Sequence, residues 1–120
     1  MAVPNIFESE YRFCLILWEN EPIGSAALAA LCRERLGWSR STTYTVIRRL
    51  ADRGVVKNEN AVVTSLVSRE EAESSRIDQL VEETFGGSLP GFLAAFTRNR
   101  KLSPEEAALI RRMIDGSGED

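Results

Sequence analysis

The spacing of apolar residues along this chain changes at Gly54, and this change decides which folds are open to it. Before Gly54, apolar residues recur at three- and four-residue steps in three segments separated by Gly, Pro and Ser, which predicts three helices. Beyond it, the β-branched runs 55–57 and 61–67 flank Asn58-Glu59-Asn60, which predicts a hairpin with those three residues at its tip. Three helices followed by a hairpin are typical of a winged helix-turn-helix domain.

Each of the three helices has local signals at its ends. The first is predicted over residues 8–20 and is apolar on nearly every side, so it has to be covered on more than one face. The second is predicted over residues 25–36, with Ser25 as its cap and Gly37 ending it in a left-handed conformation. The third is expected to begin at its cap Ser39 and to end at Gly54. Its predicted inward residues are Thr43 or Tyr44, Ile47, Leu50 and Ala51.

The outward face of the third helix is small, hydroxylated and basic, which suits a DNA major groove about 12 Å wide. Residues 33–57 carry seven basic and two acidic side chains, a net charge of +5. Hydroxyls of the first turn are expected to meet phosphates or bases, the central residues to read bases, and the arginines to contact phosphates. The predicted DNA-binding residues are Arg40, Ser41, Thr42, Tyr44, Thr45, Arg48, Arg49 and Lys57, and Arg53 is expected to contact phosphate as well.

The second half of the chain predicts three further amphipathic helices, beginning at the caps Ser68, Ser88 and Ser103. They are too small for a core of their own, so we expect a second copy of the chain to complete them. Their acidic balance, after the basic segment 33–57, suits an association half joined to a DNA-reading half. The predicted interface residues are Ile77, Leu80, Val81, Leu89, Phe92, Leu93, Phe96, Leu109, Ile110 and Met113. The predicted fold is mainly α (α+β), with a winged-helix domain over 1–67, a helical dimerisation domain over 68–116 and a flexible tail over 117–120.

Several classes of protein are disfavoured by composition. The chain has no His, which argues against metal centres and triad hydrolases, and it shows neither a nucleophile–base pair nor a phosphate-binding loop, so we expect no enzyme and no cofactor. Cys14 and Cys32 lie in helical patterns and are expected to be reduced core residues. Apolar runs are far shorter than the roughly 20 residues of a membrane span, and no signal peptide is recognisable, which predicts a cytoplasmic protein without membrane insertion.

Five stretches together resemble the penicillinase repressor family, in the order and spacing of that family. They are residues 10–19, 37–56, 64–71, 85–89 and 102–106. The resemblance implies a homodimeric repressor that binds a palindromic double-stranded operator in a β-lactam-resistance type of circuit. It also implies relief of repression by a membrane sensor protease that cuts the dimerisation domain. The bond that matches the family's cleavage site is Ala95-Phe96, where the family's Asn is replaced by Ala.

Two departures from the family pattern are visible. Copper-sensing members end in a Cys-x-Cys pair, whereas residues 115–120 contain no Cys. The predicted wing tip lacks the basic residues that are common in the family, which limits wing contacts to Lys57. Two alternatives stay open: a winged-helix regulator that senses a small molecule without proteolysis, and a winged-helix protein-interaction module with no specific DNA target.

Overall fold

The computed structural model describes residues 3–117, and its contacts divide the chain into two compact units, Met1–Ile77 and Asp78–Asp120. The fold is mainly α with a small antiparallel sheet, as predicted. In chain order the elements are α1 (Glu8–Asn20), β1 (Ile23–Gly24), α2 (Ser25–Leu36), α3 (Arg40–Asp52), β2 (Val56–Glu59), β3 (Val62–Ser65), α4 (Arg69–Phe85), α5 (Leu89–Arg98) and α6 (Pro104–Ser117).

The ends of α2 and α3 follow from local chemistry. Gly37 adopts a left-handed φ of 70° after α2, and the Ser39 hydroxyl accepts a hydrogen bond from the Thr42 N–H at 3.2 Å. Both features agree with the sequence prediction. The expected cap at Ser25 is wrong: Ser25 is the first residue of α2, Gly24 occupies the cap position without a side-chain bond, and the Ser25 N–H donates to the Ala61 carbonyl instead.

The core of the N-terminal unit lies where α1, α2, α3 and the sheet meet. Its members are Phe13, Cys14, Ile16, Leu17, Leu28, Cys32, Val46, Ile47, Leu50, Val55, Val56 and Val63. Of the two alternatives predicted for the inward face of α3, Thr43 is fully buried and Tyr44 is not. Tyr44 and Ala51 are partly buried and pack against this cluster. Val46 is a buried member that the predicted stripe missed.

Both cysteines are free and buried, as predicted. Burial raises the pKa of the Cys14 thiol to about 12 and also raises the pKa of Cys32. The tryptophans likewise have packing roles. Trp38 stacks on Phe13 with ring centroids 6.1 Å apart, and the Trp18 indole N–H donates to the Val67 carbonyl at 3.0 Å.

The predicted hairpin is present, but its tip differs from the prediction. Asn58 and Glu59 belong to β2 and pair with Val63 and Val62, so the turn consists of Asn60 and Ala61, with φ of 53° and 62°. Two consecutive left-handed residues match the twist of the flanking strands, which favours this two-residue turn over a three-residue tip. The short strand β1 was not predicted. It pairs with β3, giving the order β1-β3-β2.

The boundaries of α4, α5 and α6 agree with the predicted signals. Ser68 and Glu71 exchange hydrogen bonds of 3.0 Å each at the start of α4, and Ser103 and Glu106 do the same at the start of α6 at 3.0 and 3.1 Å. Ser88 accepts from the Gly91 N–H at 3.0 Å. Of the predicted tail 117–120, Ser117 is the last residue of α6, and 118–120 lie outside the described residues. Within residues 3–117, no helix has both the length and the apolar character needed to cross a membrane.

Candidate nucleic-acid interface

The helix α3 has two faces of opposite chemistry. Thr43, Val46, Ile47 and Leu50 are buried in the core and fix the rotation of the helix. Seven of the eight predicted DNA-binding residues therefore lie on one rigid helix, outside its fully buried positions. Arg40, Ser41, Thr42, Arg48 and Arg49 are exposed, whereas Tyr44 and Thr45 are half-buried. This arrangement presents hydroxyl and guanidinium groups together, on a helix whose position is set by packing rather than by a loop.

The first turn of α3 carries a cluster of hydroxyl groups. The Ser39 Oγ lies 2.8 Å from the Thr42 Oγ1 and 3.2 Å from the Ser41 Oγ, so the three side chains form one hydrogen-bonded group. The first N–H groups of a helix have few internal partners and carry a partial positive charge. A helix start of this kind is suited to a phosphate oxygen.

Arg40 and Tyr44 form a pair one turn apart on α3. The Arg40 Nε and Nη2 donate to the Tyr44 hydroxyl at 3.4 and 3.3 Å, and the guanidinium carbon lies 5.6 Å from the ring centroid. This hydrogen bond from Arg40 is the main reason why the pKa of Tyr44 is lowered. Because the ring also packs against the core, Tyr44 holds Arg40 in place and is itself less free to reach a base than the sequence suggested.

Arg53, at the end of α3, has a different role from the predicted phosphate contact. Its guanidinium forms an ion pair with Glu10 of α1, which is 6% exposed, and it lies 5.2 Å from the Phe7 ring centroid. Glu10 also accepts from the Phe7 N–H at 3.0 Å. A buried carboxylate requires such a counter-charge. Arg53 is therefore removed from the expected phosphate contacts, and the pair ties the end of α3 to the start of α1.

The wing offers little positive charge. Lys57, on β2, is exposed and lies 3.8 Å from the Glu59 carboxylate on the same strand. Asn60 and Ala61 at the turn are uncharged. Exposed pairs of this kind are weak, so Lys57 remains able to exchange Glu59 for a phosphate.

The helices of the C-terminal half leave apolar side chains exposed. In α5 and α6, whose residues are all described, no side chain is buried. Of the predicted interface residues, Val81, Phe92 and Ile110 are half-buried and the others are exposed: Ile77, Leu80, Leu89, Leu93, Phe96, Leu109 and Met113. Ile114 is an exposed apolar residue that the prediction missed, although it continues the stripe of α6.

The Ala95-Phe96 bond lies within α5. Ala95 is half-buried, and the Phe96 side chain is 40% exposed. The Phe96 ring lies 6.3 Å from that of Phe92, and the Arg100 guanidinium lies 4.8 Å from the Phe96 centroid. The bond is thus helical, with an accessible aromatic side chain beside it.

A sequence model of the family described as Penicillinase repressor matches residues 6–116, which is most of the chain and includes every element of the fold except the end of α6. A search of curated proteins found no match.

Proposed function

The chain belongs to the penicillinase repressor family, and from that premise we propose that it represses transcription as a homodimer bound to a palindromic operator. Membership makes it a DNA-binding transcriptional repressor, of a family of regulators rather than enzymes. The observation that supports the operator-binding role is the face of α3, where hydroxyl and guanidinium groups stand opposite a fully packed core.

In this proposal α3 lies in the major groove. Ser41 and Thr42 contact phosphate or base edges from the first turn, and Thr45 reads a base through its hydroxyl or methyl group. Arg48 and Arg49 contact phosphates, which supply affinity without sequence information. Each good base contact discriminates by about 1–3 kcal/mol, so a single domain has limited specificity.

A second copy of the chain completes the C-terminal helices. The exposed stripe of α5, formed by Leu89, Leu93 and Phe96, and that of α6, formed by Leu109 and Met113, are the surfaces we assign to this contact. Contiguous apolar surface of this kind marks interaction sites. Joining two winged helices makes binding of the second half-site intramolecular, which raises overall affinity without any new DNA contact.

Relief of repression follows from loss of this dimer. We propose the Ala95-Phe96 bond as the cut site of a membrane sensor protease in a β-lactam-resistance type of circuit. The exposed Phe96 side chain and the shortness of α5, which has 10 residues, support this choice, because short helices unfold locally at little cost. A cut there separates α6 from the rest of the proposed interface.

A second candidate is induction by a small molecule without proteolysis. It is favoured by a groove of about 390 Å³ between α3 and β2, lined by Tyr44, Ile47, Arg48, Ala51 and Asn58. A ligand there would compete with DNA at the recognition face. Loss of DNA affinity with the chain intact, measured with an apolar inducer, separates this candidate from the protease model. The third alternative, a module with no DNA target, does not fit a family of DNA-binding repressors.

The test of the proposal is nuclease protection by the double variant Thr42→Ala and Thr45→Ala. The wild-type dimer is expected to protect a short palindrome upstream of its own gene. The double variant should lose that protection while sedimenting as a dimer, because neither threonine belongs to the buried core or to the proposed dimer interface. Unchanged protection by the double variant would show that α3 is not the recognition element.

A further inference from the structure

A shallow groove of about 240 Å³ lies between α2 and α3, next to the proposed DNA-binding face. Three of the residues that line it are alanines of α2, namely Ala26, Ala29 and Ala30. The other two are Arg33, in the last turn of α2, and Arg40, the first residue of α3. The predicted DNA-binding residues include none from α2.

We propose that this groove binds the sugar–phosphate backbone of the operator, with Arg33 and Arg40 contacting its phosphate oxygens. The inference rests on the proposed operator-binding function and extends the DNA-binding surface from α3 onto α2. It adds Arg33 as a residue that positions the protein on DNA.

The shape of the groove suits a backbone rather than a base. Ala26 and Ala30 are exposed, and their methyl groups leave room for a DNA strand to approach the helix closely. A water molecule occupies about 30 Å³ in the liquid, so the groove has the volume of several waters, which a phosphate and part of its sugar can displace.

The charge of the groove points to an anion. Among residues 3–117, no carboxylate forms an ion pair with Arg33 or Arg40. Arg40 donates to the Tyr44 hydroxyl, which orients its guanidinium. Arg35, two residues further along α2, does have a carboxylate partner: it pairs with Glu19 of α1 at 3.2 Å.

The position of Arg40 makes the groove continuous with the proposed interface. Arg40 lines the groove and is also the first residue of the exposed face of α3, one turn before Tyr44. A backbone strand that passes the start of α3 therefore meets Arg40 first and Arg33 next to it. The helix start and the groove together offer one path for a single strand.

The first experiment compares Arg33→Ala with Arg35→Ala in binding to the DNA fragment upstream of the repressor's own gene. Both arginines lie in the last turn of α2, so both variants lose the same favourable interaction with the helix dipole. For Arg33→Ala we expect the slope of log K against log salt to become shallower by about 0.9 per protomer. Affinity for scrambled DNA should fall by the same factor, leaving the specificity ratio unchanged. Arg35→Ala is expected to retain the wild-type slope.

The second experiment changes the shape of the groove without changing its charge. Ala30→Leu fills the groove, whereas Ala27→Leu places the same side chain on an exposed position of α2 outside its lining. We expect Ala30→Leu to lower the logarithm of the DNA-binding constant by at least half as much as Arg33→Ala does. Ala27→Leu should bind DNA like wild type.

The outcomes separate failure of the groove proposal from failure of the proposed operator-binding function. If the wild-type protein discriminates operator from scrambled DNA but Arg33→Ala matches Arg35→Ala in slope and affinity, the groove is overturned and the proposed function stands. Equal affinity of Ala30→Leu and Ala27→Leu also overturns it. If the wild-type protein does not discriminate at all, the proposed function and the groove both fail.

Discussion

The two halves of this chain differ in how they bury their apolar side chains. In the N-terminal unit, helices and sheet enclose a cluster in which Phe13, Leu17, Leu28, Leu50 and Val63 are fully buried. In α5 and α6 no side chain is buried, although both helices have clear apolar stripes. The first half thus folds around its own core, whereas the apolar stripes of α5 and α6 stay exposed in a single copy of the chain, which is why we propose that a second copy covers them.

The largest effect is expected from a cavity in the N-terminal core. Leu50→Ala removes a fully buried side chain of α3 and should lower the free energy of unfolding by about 2–5 kcal/mol. Trp18 and Trp38 both lie in this unit, so tryptophan fluorescence in a urea titration reports its unfolding selectively. A change below about 0.5 kcal/mol would mean that this unit does not depend on the core described.

A smaller effect is expected from a charge on the apolar surface of α5. Leu93→Asp should raise the dissociation constant of the dimer at least about 30-fold, the equivalent of a 2 kcal/mol hot spot. Sedimentation equilibrium measures this constant, and tryptophan fluorescence should show an N-terminal unit of unchanged stability. The matched control is Leu66→Asp, because Leu66 is also exposed but lies outside the proposed interface. If both variants dimerise equally well, α5 is not the contact surface.

The smallest effect concerns the start of α4. Hydrogen bonds from the Ser68 backbone and hydroxyl lower the pKa of Glu71 below its ordinary value of 4.5. A carboxyl whose pKa is lowered by folding stabilises the folded state above its unfolded pKa, and this contribution is lost as the pH falls through the folded pKa. Glu71→Gln should therefore lose slightly less helicity than wild type between pH 5 and 3 in circular dichroism, with Glu70→Gln as the control. Identical acid titrations of Glu71→Gln and wild type would contradict this role.

Local signals explain why most of the fold could be predicted from the sequence. Ser39, Ser68 and Ser88 each accept a hydrogen bond from the backbone N–H three residues ahead. Gly37 ends α2 by adopting a left-handed conformation. These helix boundaries therefore depend on only a few neighbouring residues. The sequence could not reveal β1, because Ile23–Gly24 forms a strand only by pairing with Val62 and Val63 far along the chain. A strand of two residues is too short to show the alternation of apolar and polar residues that predicts a strand.

The candidate site shows the same division between local and distant contacts. The helical period placed the hydroxylated and basic residues on one face of α3, but it could not show that Arg53 leaves this set. Its partner, Glu10, is 43 residues away in the chain, and no local pattern in the sequence links the two. Tyr44 was ambiguous for a related reason, because only packing against the core decides how far its ring faces outward.

The proposed function requires that two copies of this chain read a palindrome through α3. Selection of bound fragments from a pool of random-sequence DNA tests it most directly, with the wild-type protein and the Thr42→Ala, Thr45→Ala double variant in parallel. We expect the wild-type protein to enrich one palindromic sequence, with half-sites about 10 base pairs apart or a multiple of that, and the double variant not to enrich it. Enrichment of no sequence by the wild-type protein, or of the same palindrome by the double variant, would show that α3 does not read an operator in this way.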